Sequence, residues 1–142
     1  AGKIKKFEMV SRKELQSPEE LGKRVSGVSI VAFSDNKMLL LREFRLSINK
    51  EIYNLCAGML EEGESTEECI LPPSYAAVGF SDTKTYIAFV EAEGTFEDHT
   101  SDNEEIKACF YSKEEIAHLL QTEEFSSRSQ LAAWYFIHGG II

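Results

Sequence analysis

Cysteine is scarce and unpatterned in this chain. Cys56, Cys69 and Cys109 are the three cysteines among 142 residues, an odd number without metal-ligand spacing. A disulfide framework and a zinc cluster are therefore both poor fits, and a reduced, cytoplasmic protein with small buried thiols is the expectation. Positive charge is also short, with 15 Lys and Arg against 24 Asp and Glu and a net charge of -9. Such a chain repels phosphate backbones and anionic membrane surfaces, which argues against nucleic-acid and membrane partners. An acidic protein that handles phosphates needs divalent cations. No secretory or transmembrane stretch, internal repeat or low-complexity linker is visible. His99, His118 and His138 are scattered without a partner pattern and read as surface or packing residues.

What is present suffices for one packed core, since 43% of the residues are hydrophobic. The pattern is strand-rich first and helical at the end. "KIKKFEMV" (3–10) reads as an N-terminal strand with a lysine face, and Ser17 with Pro18 starts a short helix that Gly22 limits. "VSGVSIVAF" (25–33) and "KMLLLREF" (37–44) are β-favouring runs joined by "SDNK", which predicts a hairpin. "EIYNL" (51–55) and "TKTYIAFVEA" (83–92) add strands, and in "IKACFY" (106–111) Ile106, Ala108 and Phe110 share one face. Ser112 and Glu115 then form a capping box before "KEEIAHLL", and "SSRSQLAAWYFIHGG" is a longer helix stopped by Gly139 and Gly140. A mixed sheet with helices packed on it follows.

The segment "EGESTEECILPPSY" (62–75) contradicts itself. Ser65 and Glu68 form a capping box, yet Pro72 and Pro73 lack amide donors and Pro72 pushes Leu71 out of the helical region, leaving barely a turn and a half. The acidic run around it, Glu61, Glu62, Glu64, Glu67 and Glu68, suits a hard cation such as magnesium, or simply a solvated loop. Arg42 and Arg45, on a strand, read by themselves as solvated edge charges.

Read together, "LREFR", "YNLCAGMLEEGE", "PPSYAAVGFSDTKTYIAFVEA" and "DNEEIKACFYSKEEI" resemble the Nudix hydrolases of the ADP-ribose pyrophosphatase group, in the right order and over about four fifths of the chain. Cys56 stands where the group usually has proline. The Nudix signature is followed through Gly58 and Glu64 and then lost, because the positions due for arginine, glutamate and the paired glutamates hold Pro72, Pro73, Ala76 and Ala77. Roughly fifteen to twenty residues are missing between Ile70 and Leu71, counting a strand of typical length. Three readings stay open: a natural or engineered deletion that keeps the sheet and has lost hydrolysis; a segment present in the full molecule and absent from this sequence; or a likeness that misleads, with the acidic loop serving another purpose.

The resemblance implies an α+β fold, the α/β/α Nudix-like sandwich, with a mixed sheet, flanking helices and the Nudix helix truncated or missing. It implies a single domain over 1–142, with 1–24 as a dimerisation segment of a homodimer. The implied reaction is hydrolysis of a nucleoside diphosphate linked to another moiety, ADP-ribose giving AMP and ribose 5-phosphate, with Mg2+ or Mn2+ as cofactor. The alternative is an inactive nucleotide-binding or dimerisation module on the same sheet. By the same resemblance Glu104 and Glu105 are catalytic, Arg42, Arg45, Phe80 and Asp82 bind a nucleotide-sugar or ADP-ribose-like molecule, and Ala57, through its carbonyl, and Glu64 are metal ligands. The lost carboxylates leave that metal site incomplete. A break at Ile70–Leu71, or a strained loop beside a bare sheet face, is the expected structural result.

Overall fold

The structure, a computed structural model, describes residues 2, 4, 6, 8–11, 14–59, 69–91 and 106–139. Its centre is strand β1 (Val25–Ser34), which turns through Asp35 and Asn36 into β2 (Lys37–Arg45). Both turn residues have positive φ, 48° and 59°, the conformation a two-residue hairpin requires and one that Asp and Asn tolerate best after glycine. β3 (Lys50–Asn54) and β4 (Cys56–Met59) follow, then β5 (Cys69–Ile70), β6 (Ser74–Tyr75), β7 (Lys84–Glu91) and β8 (Ile106–Ser112). Helices α1 (Lys113–Thr122) and α2 (Ser127–Ile137) end the order.

The sheet is mixed. β7 runs parallel to β1 from Val25 to Phe33, while β4 and then β2 pair antiparallel along the other edge of β1. β2 carries β3 on one side from Leu41 to Arg45 and β8 on the other from Lys37 to Glu43, both antiparallel. The hairpin, the strands at 51–55, 83–92 and 106–111, and both C-terminal helices are thus where the sequence pattern puts them. Ser112 accepts from the Glu115 amide at 3.2 Å and Glu115 returns the bond at 3.1 Å, the reciprocal cap that starts α1. Gly139, at φ 72°, supplies the left-handed residue that stops the chain after α2.

Alternation gives the sheet two faces. Val31, Phe33, Met38, Leu40 and Tyr53 meet Ile116 of α1 and Ala133 and Phe136 of α2 in one buried cluster. Phe33 and Phe136 lie 5.5 Å apart, centroid to centroid, a separation at which ring packing adds to area burial. The second face carries Val28, Ala32, Leu39, Ile52 and Ala88, all buried.

The short helix expected after Ser17 is present as a single 3-10 turn, Pro18–Glu20, held by Glu20 reaching back to the Ser17 amide at 3.0 Å. Two expectations need correction. The first concerns residues 3–10: among those described none lies in a strand, and Val10 makes only an isolated bridge to Ser81. The second concerns the junction. Ile70 pairs with Ala88, and Leu71 donates its amide to the Ile87 carbonyl at 3.0 Å, so the two residues stand at neighbouring places along β7. Ser74 and Tyr75 continue opposite Thr85 and Lys84. No break opens there, no described residue from 69 to 75 has positive φ, and the second face is not bare at its described apolar residues. Two prolines without amide donors fit an edge strand, where such donors are not all needed. The cap at Ser65 lies outside the described residues.

Candidate functional site

The two arginines of β2 project to opposite faces, because positions three apart alternate in a strand. Arg42 pairs with Glu51 across the β2–β3 rungs at 2.7 Å, with both side chains 46% exposed. Such a pair contributes at most about 1 kcal/mol, so the guanidinium is cheaply released to a competing phosphate. Arg45 lies 3.5 Å from Glu43. That carboxylate is nearly buried and also accepts from Asn54 Nδ2 at 3.0 Å. Asn54 Oδ1 in turn accepts from the Leu55 amide at 2.9 Å and from Ser126 Oγ at 2.7 Å, and Ser129 Oγ donates to the Tyr53 carbonyl at 2.8 Å. A continuous polar chain therefore runs from Arg45 through the end of β3 to the first turn of α2.

Cys56 sits on the same face as Glu43. Burial, and secondarily the Glu43 carboxylate, pushes its thiol up to about 11. It is therefore an inert packing thiol rather than a nucleophile. Ala57 faces Ser29 on β1, and Arg128, from the start of α2, donates to Ser29 Oγ at 3.5 Å.

Phe80 and Asp82 come together in a separate place. The chain turns back on itself after β6, with the amides of Phe80 and Ser81 both donating to the Ala77 carbonyl. This turn forms one wall of an open cleft of about 250 Å³, together with Tyr75 and Val78; the N-terminal segment forms the other with Met9, Leu21 and Gly22. Val10 donates to the Phe80 carbonyl at 2.7 Å, and Gly22 donates to Asp82 Oδ2 at 3.2 Å. A hydrogen bond from Ser11 and then the Gly22 amide hold the Asp82 carboxyl below the usual carboxylate range.

Of the residues marked out by sequence, then, Phe80 and Asp82 share a cleft, while Arg42 and Arg45 lie on β2 on the other side of β1. Glu64, Glu104 and Glu105 lie outside the described residues. Among the described residues no three His, Cys, Asp or Glu side chains come together to hold a metal ion, so this part of the chain does not by itself fit one. Glu43, Asn54, Arg128 and the Met9–Gly22 wall were not marked out. Glu43 and Asn54 sit in apolar strand runs, where a single polar residue gives no periodic signal. Gly22 was legible only as a helix breaker.

No family model and no curated protein matches this sequence. Its fold is similar to that of a known hydrolase. The solved structure of an ADP compounds hydrolase superposes on it with a TM-score of 0.57 at 16% identity, covering 80% of this chain and 71% of that one. At that identity the likeness is one of fold, a Nudix-like α+β arrangement of mixed sheet and helices. No helix among the described residues is long and apolar enough to cross a membrane.

Proposed function

We propose that this chain is a Nudix-type hydrolase domain whose ligand is a nucleoside diphosphate linked to another moiety. The observation that carries this reading is the likeness of fold to an ADP compounds hydrolase across 80% of the chain. The ordered motifs "LREFR" and "YNLCAGMLEEGE" support it. The specific reaction in this proposal is attack of water on the diphosphate of ADP-ribose, giving AMP and ribose 5-phosphate. Arg45 grips a phosphate or ribose, Arg42 on the opposite face is the other substrate-binding arginine, Phe80 and Asp82 contact the remainder of the ligand, and Glu104 or Glu105 takes the proton. Mg2+ or Mn2+ is the expected cofactor, with Glu64 and the Ala57 carbonyl among its ligands. Assembly as a homodimer through residues 1–24 and a cytoplasmic location belong to the same proposal.

One observation favours a second reading, a nucleotide-binding module without turnover. Pro72 and Pro73 occupy helix positions of the Nudix signature, and here they lie between β5 and β6 along the edge of β7. A strand presents carboxylates alternately to two faces, whereas a helix gathers those at i, i+3 and i+4 on one. Incubation with ADP-ribose and Mg2+, with AMP followed by chromatography and ligand binding measured in parallel, separates the two. AMP release at a trace rate by this chain that rises once a Nudix helix is restored between Ile70 and Leu71 supports the hydrolase, binding without release even then supports the module, and the loss of both binding and release overturns the nucleotide reading.

A further inference from the structure

The cleft beside Phe80 has one wall from Met9, Leu21 and Gly22 and the other from residues 75–82, so it exists only while the two sides are docked. Main-chain donors hold them: the Val10 amide to the Phe80 carbonyl, with the Val10–Ser81 bridge, and the Gly22 amide to the Asp82 carboxylate. Glycine is required at position 22 on two counts. Its φ is +66°, a conformation that residues with a Cβ rarely adopt, and a Cβ there would stand 2.6 Å from the Tyr75 hydroxyl, so the Tyr75 ring would have to shift.

The space enclosed is about 250 Å³, below the roughly 300–1,000 Å³ of pockets that take whole small ligands. It suits one ring system rather than a complete nucleotide. Met9 and Leu21 offer aliphatic contact, and Phe80 and Tyr75 stay 54% and 51% exposed, leaving aromatic surface for a flat partner. Lys84 Nζ lies 5.1 Å from the centre of the Tyr75 ring, so Phe80 is the freer platform. The carboxylate of Asp82 closes the edge. It accepts from N–H groups and repels phosphate, so a ligand with both must enter with its ring inward and its phosphates outward.

We propose that this cleft binds the base of the nucleotide, stacked on Phe80 with its N–H groups toward Asp82, and that binding clamps Met9, Val10, Leu21 and Gly22 onto the sheet. The proposal rests on the nucleotide reading above. Because the base contacts both walls, base binding and segment docking are coupled: each stabilises the other by the same factor.

The test uses the full chain and adenosine, which has the base without phosphate or need of metal. Adenosine at millimolar concentration is expected to bind and to slow hydrogen exchange at the Val10 and Gly22 amides. Phe80→Ala, at a half-exposed position where circular dichroism can confirm an intact fold, is expected to weaken adenosine about tenfold, the usual range for loss of a stacking ring. Adenosine that fails to bind, binds Phe80→Ala equally well, or leaves both amides unprotected overturns the proposal. ADP-ribose is titrated alongside. If it binds while adenosine does not, the base subsite falls and the nucleotide reading stands; if neither binds, both fall.

Discussion

Asn54 donates from Nδ2 to Glu43 Oε1 at 3.0 Å while its Oδ1 accepts from both Leu55 and Ser126. One amide side chain therefore ties β2, the end of β3 and the cap of α2. Truncation would leave a nearly buried carboxylate short of a donor and a backbone amide short of an acceptor. Asn54→Ala is expected to destabilise the fold by about 2–4 kcal/mol, at roughly 1 kcal/mol per hydrogen bond with a surcharge for the stranded groups. Glu43→Gln, which keeps an acceptor, is expected to cost about 1 kcal/mol. Urea unfolding of the two variants against the parent measures both, and an unchanged midpoint for Asn54→Ala would show that the polar chain does not hold these elements together.

Thiol chemistry should separate Cys56 from Cys109. The Cys56 thiol, pushed up to about 11, is ionised in roughly one molecule in a thousand at pH 8, and only the thiolate reacts. Cys109, against the expectation of a buried thiol, is exposed on β8. Mass spectrometry after brief iodoacetamide treatment of the folded protein is expected to find the label on Cys109 well before Cys56, and equal labelling after unfolding in urea. Early labelling of Cys56 would mean that the second face of the sheet opens readily.

Acid should loosen two local features. Hydrogen bonds from the Ser112 backbone and side chain hold the Glu115 carboxyl below its usual range, and those from Ser11 and Gly22 do the same for Asp82. A carboxyl depressed in the folded state gives stability that is complete above its unfolded pKa and is lost as pH falls through the folded one. The start of α1 and the Gly22 contact are thus expected to loosen from about pH 4 downward. Glu115 is exposed and Asp82 half-buried at an open cleft, so the effect is local. Hydrogen exchange at the Ser112 and Gly22 amides, corrected for intrinsic rates, should accelerate over that range, and protection that persists below about pH 3 would count against it.

The strands and C-terminal helices were legible because their signals are local. An alternating run such as Met38, Leu40 and their neighbours, or a Ser112–Glu115 cap, is written within a few residues and confirmed by packing. The cleft was not legible, since its walls are supplied by Gly22 and Asp82, 60 residues apart, and neither position carries a motif. Phe80 and Asp82 were marked out only through resemblance, without the N-terminal wall that faces them. The junction misled for a different reason. Proline next to a helix cap reads as an interrupted helix, but a sheet edge absorbs Pro72 and Pro73 with little loss, and Leu71 then finds an acceptor in Ile87.

That edge also makes the strongest test of what the chain can catalyse. β5 pairs only Cys69 and Ile70 with β7, so a segment inserted between Ile70 and Leu71 disturbs two edge residues and leaves the cluster of Phe33, Met38, Ile116 and Phe136 untouched. Leu71 to Tyr75 can remain on β7 through their own contacts. A helix inserted there would gather carboxylates on one face, which the extended chain cannot do, and metal-assisted stabilisation of a diphosphate transition state is worth several kcal/mol. The 142-residue chain is therefore expected to release AMP from ADP-ribose and Mg2+ at no more than a trace rate. A version carrying a Nudix helix and strand at this join is expected to exceed it by on the order of a thousandfold. Circular dichroism and urea unfolding establish that the longer chain is folded. Comparable rates from the two folded proteins would place the chemistry in residues that both already share.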